Sequence, residues 1–171
     1  MIKSPDYKIE TAKDGSPTLV IEEGGRTVAL HSKINPLKEP ETAGYSPDPG
    51  KYDLLIVLGC GLGYSLLKHK GTLSEFRQII VIDILPGIEN EIGKNPYTSF
   101  ITESGNIRFF TGIPLAAFER LLGGEIDLDR FRGIQVLEHL QSFRIFPDYY
   151  NGVRSVIKRL IDKKAGDRAT I

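Results

Sequence analysis

Three glycines at alternate positions close the stretch DLLIVLGCGLG at residues 53–63. They are Gly59, Gly61 and Gly63. Glycine adopts backbone angles that other residues avoid, and it lets another molecule approach the main chain closely. Where a strand turns into a helix, the free amides at the helix start can also face an anionic ligand. The stretch therefore predicts either a nucleotide-sized site or only a sharp turn from strand to helix.

The spacing of these glycines narrows the class of ligand. A dinucleotide fingerprint requires G-x-G-x-x-G, but the third glycine of that pattern would fall on Tyr64. The pattern G-x-G-x-G resembles the first motif of S-adenosylmethionine-dependent methyltransferases, in which an acid at the end of the second strand binds the ribose hydroxyls. Asp83 ends the stretch IIVID, 20 residues after Gly63, in the position for that role. The alternative is that Asp83 only caps a turn.

We predict a cofactor site for S-adenosylmethionine or another nucleotide at Gly59, Gly61, Gly63 and Asp83. Two features depart from the methyltransferase pattern. That motif usually has an acid two residues before its first glycine, where this chain has Val57. The methyltransferase fold also continues through further strands after the fourth, whereas only one predicted helix follows here. These departures favour a domain that keeps the turn without the chemistry.

The candidates for catalysis are Glu138, His139 and His31. Glu138 and His139, in VLEHL, end a predicted strand at the mouth of the expected cleft, where a general base could stand. His31, in ALHSK, ends an earlier segment and could also face the cleft. The alternative is that the first two are a rim pair without chemistry and that His31 is a hydrogen-bonded structural residue.

Other kinds of catalytic site are not indicated. The three histidines are scattered without H-x-x-H or H-E-x-x-H spacing, so no metal site is predicted. A G-x-S-x-G elbow and a P-loop are both missing. The single cysteine, Cys60, cannot form an internal disulfide, and we expect it to pack in the turn.

These residues need elements to position them. Three β-rich segments at 7–32, joined by glycine turns, predict an antiparallel meander, and a proline-rich connector follows at 33–52. From residue 53 strands alternate with helices, which predicts an open parallel sheet with helices on both faces. The predicted fold class is α/β, a Rossmann-like, methyltransferase-like sheet preceded by the meander. We expect one compact domain, with 1–52 as meander and connector and 53–171 as the core.

Local signals predict where several helices start and stop. Asn35–Pro36 could open about one turn of helix, which Pro40 would end by removing a backbone donor. Gly123–Gly124 are expected just past the end of a helix, and Gly166 is expected to stop the last one.

Composition limits the partners. The 171 residues include 22 basic and 22 acidic side chains, so no strong field draws the chain to nucleic acid or to an anionic membrane. The longest apolar run, 54–58, is far short of a membrane helix, and the expected location is the cytoplasm. Edge strands and the apolar face of the last helix could support a homodimer.

Two stretches together resemble the Maf-type motility accessory proteins. LHSKINPLKEPE at residues 30–41 is similar to their L-H-S-x-x-x-P-x-x-E-A segment, and LIVLGCGLGYSL at 55–66 is similar to the G-x-G-L-G-Y strand that follows it. The family's alanine after the glutamate is Pro40 here. The matching positions are His31, Ser32, Pro36, Glu39, Gly59, Gly61, Leu62, Gly63 and Tyr64.

The resemblance covers roughly residues 15–160. Maf-type proteins are bacterial glycosyltransferases that attach nonulosonic acids, such as pseudaminic or legionaminic acid, to flagellin. The resemblance implies an ancillary, non-catalytic module ahead of a catalytic central domain, with flagellin or that domain as partner. The ending KKAGDRATI would then be where the next domain begins. The alternatives are a small S-adenosylmethionine-dependent methyltransferase and an interaction domain with an empty cleft.

Overall fold

The chain forms two β-sheets and seven α-helices in the part that the structure, a computed structural model, describes. The backbone is described for residues 4–169 and the side chains for residues 4–163. A four-stranded parallel sheet is flanked by helices, and a three-stranded antiparallel sheet precedes it. The α/β, Rossmann-like fold class is therefore confirmed.

The first sheet is the predicted meander. Its strands, in the order β1-β2-β3, are Asp6–Thr11, Pro17–Glu23 and Arg26–Ala29. Apolar side chains of β2 pack with residues that follow β4 and β5, so this sheet lies against the carboxyl end of the parallel sheet. The members of that cluster are Leu19, Ile21, Leu30, Leu62, Tyr64, Leu85 and Ile88.

The second sheet has the order β6-β5-β4-β7, and all its neighbours are parallel. Its strands are β4 (Leu54–Leu58), β5 (Gln78–Asp83), β6 (Ile107–Thr111) and β7 (Ile134–Glu138). The glycine strand β4 lies between β5 and β7, as its continuous apolar sequence predicts for a strand buried on both faces. The chain runs outward from β4 to β6 and then returns to the other side of β4, so the strand order reverses between β4 and β7.

Most of the helices are short. They are α1 (Glu39–Thr42), α2 (Lys70–Leu73), α3 (Ile88–Lys94), α4 (Phe100–Glu103), α5 (Leu115–Glu125), α6 (Leu140–Ile145) and α7 (Pro147–Ala169). Short 3-10 helices lie at Pro36–Lys38, Tyr64–His69 and Leu128–Arg130.

The two faces of the parallel sheet carry separate cores. Leu54, Ile56 and Leu58 face α5 and α7, whereas Leu55 and Val57 face α2, α3 and α4. Each fully buried aliphatic side chain of this kind contributes about 1.5–3 kcal/mol. Burial on both faces holds the carboxyl ends of β4 and β5, and hence the glycine turn and Asp83, in fixed positions.

Three predicted helix boundaries are wrong. Pro40 does not end the helical segment, because it lies in the first turn of α1, where a missing N–H leaves no hydrogen bond unmade. Gly123 and Gly124 lie inside α5, and the backbone remains helical past Gly166 to the end of α7. In each case the backbone stays helical at a proline or glycine that was predicted to end the helix.

Of the helices in the described range, none combines the length and apolar character that crossing a membrane requires.

Candidate functional site

The crevice where Rossmann-like sheets bind ligands lies at the carboxyl ends of the strands, where the strand order reverses. Here that point lies between β4 and β7. Gly59 follows β4, and His139 follows β7 and donates its backbone N–H to the carbonyl of Leu58 at 2.9 Å. The predicted cofactor residues and one predicted catalytic residue are therefore brought together.

The backbone amides of the glycine turn are all used within the protein. Gly59 donates to the Ile82 carbonyl at 2.7 Å, and Gly63 donates to the Cys60 carbonyl at 2.9 Å. The amides of Cys60 and Gly61 both donate to Oδ2 of Asp83, at 2.9 and 3.0 Å. The Leu62 amide donates to Nε2 of His31 at 2.9 Å. Each backbone amide from Gly59 to Gly63 thus has a protein acceptor.

Side chains of the protein also cover the three glycine α-carbons. A Cβ at Gly59 would lie 2.6 Å from Cβ and Oγ of Ser142. A Cβ at Gly61 would overlap His31, and one at Gly63 would lie 2.6 Å from Cδ1 of Ile101. The glycines are needed here because the protein packs against them.

Asp83 is buried in the middle of this arrangement, with 1% of its surface exposed. Besides the two turn amides on Oδ2, its Oδ1 accepts the Leu85 N–H at 3.0 Å and the Tyr150 hydroxyl at 3.3 Å. The Tyr150 hydroxyl in turn accepts the Ile84 N–H at 3.1 Å. The carboxylate therefore joins the ends of β4 and β5 to α7, and its acceptor positions are taken by protein donors.

His31, Glu39 and His139 form a hydrogen-bonded group that we call the Glu39 bridge. Glu39 lies at the start of α1, and its Oε2 is 2.6 Å from Nδ1 of His31, while its Oε1 is 2.5 Å from Nε2 of His139. The other ring nitrogen of His139 is 2.7 Å from Oγ of Ser142. Because His31 accepts from Leu62 and Ser142 covers Gly59, the bridge ties the connector to both ends of the glycine turn.

The charge of Glu39 is stabilised by its two partners. Burial alone would raise the pKa of the carboxyl group, but the charge attraction and hydrogen bonds of His31 and His139 outweigh that effect and lower the pKa from 4.5 to about 2. The carboxylate is therefore ionised at neutral pH and accepts hydrogen bonds from both imidazoles.

The three side chains of the Glu39 bridge have the residue types of a metal site. One ring nitrogen of His31, one of His139 and a carboxylate oxygen of Glu39 lie within 4.8 Å of one another, and the nitrogens that face Glu39 are Nδ1 of His31 and Nε2 of His139. However, Nε2 of His31 accepts the Leu62 N–H, which assigns the ring proton to Nδ1, the atom that would have to bind the ion. A metal-bound histidine instead donates from its second nitrogen. The hydrogen bonding therefore fits two imidazole N–H groups that donate to the Glu39 carboxylate better than it fits a metal centre.

The sequence of contacts Ser142–His139–Glu39 resembles a catalytic triad in its residue types. A nucleophile must be reachable by its substrate, and Ser142 is only 2% exposed, with its Oγ lying over Gly59. The hydrogen-bonded side chains of Ser142, His139 and Glu39 therefore hold the glycine turn in place, and Ser142 is not accessible as a nucleophile.

Glu138 and His139 point in opposite directions, because successive residues of a strand face opposite sides of the sheet. His139 faces the connector in the Glu39 bridge, whereas a carboxylate oxygen of Glu138 bonds Nε of Arg154 on α7. Glu138 and His139, although adjacent in sequence, therefore have different hydrogen-bond partners and do not form a catalytic pair.

A cavity of about 650 Å³ lies beside the Glu39 bridge. Its lining includes Glu39, Tyr45, His139, Gln141 and Arg144. The lining residues come from the connector, β7 and α6, and none of Gly59, Gly61, Gly63 and Asp83 is among them. This cavity is therefore not the nucleotide site that the glycine motif predicts.

The remaining predicted residue, Cys60, is fully buried. Burial raises the pKa of its thiol well above the usual value, and the negative charge of Asp83 adds to the effect. The expected packing role is consistent with this environment, because a reactive cysteine needs a lowered pKa and access.

Sequence reasoning missed three functional contacts. The resemblance placed Glu39 in a motif but gave it no partner, and Ser142 was not singled out at all. The contact between the Tyr150 hydroxyl and Asp83 was not predicted either. Glu39 and His139 are 100 residues apart, so their pairing has no spacing signal. The histidines looked scattered because only the folded sheet brings their rings to 5.6 Å.

A scan against protein-family models found no match for this chain, and a search of curated proteins found none either.

Proposed function

We propose that this domain is an ancillary, non-catalytic Rossmann-like module of a Maf-type protein that takes part in flagellin glycosylation with nonulosonic acids. The observation that carries the non-catalytic role is the filled glycine turn. Each amide from Gly59 to Gly63 has a protein acceptor, and the carboxylate of Asp83 is held by protein donors.

A second observation supports the link to the Maf-type pattern. The two stretches that carry the resemblance contact each other directly, because His31 and Glu39 come from the first and Leu62 from the second. Ser32 accepts the N–H groups of Ile34 and Asn35 at 3.1 and 3.0 Å, which forms the turn that leads into the bridge. The matched residues thus share one structural task, the closure of the crevice.

The alternative is a small S-adenosylmethionine-dependent methyltransferase. It is favoured by the position of Asp83, which ends β5 next to the glycine turn of β4, where the acid of such an enzyme is expected. For this function the Glu39 bridge and Tyr150 would have to move, since they occupy the space over the turn.

Titration calorimetry with S-adenosylhomocysteine, CMP and a CMP-sugar separates these proposals. We expect no binding heat from any of them. In a separate urea denaturation experiment, Asp83→Ala should lower the free energy of unfolding by about 1–3 kcal/mol, because buried amide donors lose their acceptor. The exposed Asp129→Ala serves as the control and should change stability by less than about 0.5 kcal/mol.

Micromolar binding of S-adenosylhomocysteine that disappears in a folded Asp83→Ala variant would establish the methyltransferase instead. Tight binding of CMP or a CMP-sugar would also contradict the non-catalytic role, because it would place a donor substrate on this domain.

The proposed partners are flagellin and the central domain of a Maf-type glycosyltransferase, in the cytoplasm. Biolayer interferometry with each purified partner tests this part. We expect saturable binding to at least one of them, since an ancillary module must contact either the acceptor or the catalytic domain. Absence of binding to both leaves the third alternative, an interaction domain with an empty cleft and another partner.

A further inference from the structure

Strand β7 is an open edge of the parallel sheet. Within residues 4–163, its hydrogen-bonded neighbour is β4 alone. Leu54 donates to Gly133, and His139 donates to Leu58, so the residues of β7 that bond β4 are the odd-numbered ones. The N–H and C=O groups of Ile134, Val136 and Glu138 therefore point away from the sheet.

This edge carries few of the devices that prevent pairing. Its sequence, IQVLE, contains no proline or lysine and forms five consecutive strand residues. Grooves lie along both sides. One is lined by Val136, Ile157 and Ile161 together with charged side chains of α7, and the other, the cavity beside the Glu39 bridge, is lined by Leu137 and Leu140 together with polar side chains. Leu140, just past the strand, is 61% exposed. An edge of unpaired backbone N–H and C=O groups is a template for a further strand.

We infer that β7 pairs with β7 of a second copy of this chain, antiparallel and centred on Val136. In this register Val136 lies opposite Val136 of the second copy, and Ile134 lies opposite Glu138. Each outward-facing residue then exchanges both of its backbone hydrogen bonds with the second copy. A shift of the register by one pair leaves some outward groups unpaired, so the centred arrangement satisfies the edge best.

Charge also favours the second copy as the occupant. Arg132 precedes the strand with 74% of its side chain exposed and lies 3.9 Å from Asp53, and Glu138 ends the strand, where one of its carboxylate oxygens accepts from Arg154. The antiparallel register makes Arg132 of one copy the diagonal neighbour of Glu138 of the other, within reach of its long side chain. The formal net charge of zero means that two copies do not repel each other at long range. The pairing joins the two parallel sheets into one continuous sheet.

Sedimentation equilibrium of the intact chain tests this inference. We expect a concentration-dependent species of twice the 19.0 kDa chain mass. Val136→Pro removes the outward N–H and leaves the bonds to β4, so it should raise the dissociation constant of the dimer by at least about tenfold. Val136→Thr keeps that N–H and should leave the dissociation constant within about threefold of wild type.

If circular dichroism shows that Val136→Pro is unfolded, Val136→Lys takes its place, because it sets two ammonium groups against each other at the symmetry axis. A wild-type chain that remains monomeric at all concentrations, or a folded Val136→Pro or Val136→Lys variant that dimerises like wild type, overturns the inference.

Disulfide trapping tests the register. Paired residues at the centre have Cα atoms about 5.5 Å apart, inside the range of a disulfide. Val136→Cys should therefore form a covalent dimer on oxidation, whereas Ile134→Cys, opposite Glu138 of the second copy, should not. Native Cys60 is fully buried and should not interfere. Equal trapping at both positions would contradict the centred register.

Discussion

Alanine differs from glycine by one methyl group, and at Gly61 that group would meet the side chains of His31 and Leu30. A glycine that opens a ligand site and a glycine that admits the protein's own side chains look the same in a sequence. They differ in what a methyl group does. In the first case it weakens binding of the ligand, whereas in the second it destabilises the fold.

Gly61→Ala should therefore lower the free energy of unfolding more than Gly15→Ala does. Both glycines have positive φ, +54° and +87°, and an alanine in that region costs about 1–2 kcal/mol. Gly15 has no atom within 4 Å of the added Cβ, whereas Gly61 would place it 2.6 Å from Cδ2 of Leu30. We expect Gly61→Ala to cost about 1–3 kcal/mol more, measured by urea denaturation. Equal losses would mean that the space over Gly61 is open.

Glu39 gives the molecule a stability that depends on pH. Its pKa is about 2 in the folded protein and 4.5 otherwise, so the carboxylate stabilises the fold above about pH 5 and this contribution is lost as the pH falls towards 2. Glu39→Gln cannot ionise. Its free energy of unfolding should be lower than that of wild type at neutral pH, and the difference should shrink as the pH decreases.

Urea denaturation at several values between about pH 7 and pH 3 measures this difference. Glu41→Gln is the control, because Glu41 is exposed on the same helix. A gap between wild type and Glu39→Gln that stays constant with pH would contradict the role of the charge.

At the scale of elements, the strands were easier to predict than the helices. Continuous apolar runs such as LLIVL indicate β4 in the sequence, because a parallel strand buried on both faces is apolar throughout. The connector helix α1 begins at Glu39 and has only four residues, so its formation depends on contacts made elsewhere. One such contact is the Glu39 bridge, which cannot be predicted from the helix propensity of the residues in α1.

The glycines inside helices show how packing changes the effect of one substitution. In α5, a Cβ at Gly123 has no neighbour within 4 Å, so Gly123→Ala should raise the free energy of unfolding by about 0.5–1 kcal/mol. In α7, a Cβ at Gly152 would overlap Leu115, 3.0 Å from its Cδ1. Gly152→Ala should therefore be destabilising. Thermal unfolding of both variants checks the predicted difference in sign.

At the scale of the whole molecule, the two sheets share a core. Leu19 and Ile21 of β2 pack with Leu62, and the Tyr64 hydroxyl donates to the Pro17 carbonyl. The parallel sheet could be foreseen from the sequence, but this joint could not, because it follows from how the meander folds over the glycine turn. The packing of the meander over the glycine turn also brings His31 to the Leu62 amide, so that this amide has a protein acceptor.

A polypeptide of residues 53–171 should therefore not unfold cooperatively. It would expose Leu62 and Tyr64 and would leave His139 without the carboxylate of Glu39. We expect a broad, weakly cooperative urea transition by circular dichroism. Addition of a peptide of residues 1–52 should restore a sharp transition. If the shorter polypeptide unfolds as sharply as the whole chain, the two regions are independent domains.

The 100-residue separation of Glu39 and His139 also has a consequence during synthesis on the ribosome. Glu39 and His31 emerge early, whereas His139 emerges only after the rest of the parallel sheet has been made. Until then the crevice over the glycine turn cannot be closed from the β7 side, because Ser142 and Tyr150 are also still to come. The nascent chain therefore passes through a stage in which the turn is open, and the emergence of Ser142 and Tyr150 from the ribosome closes it.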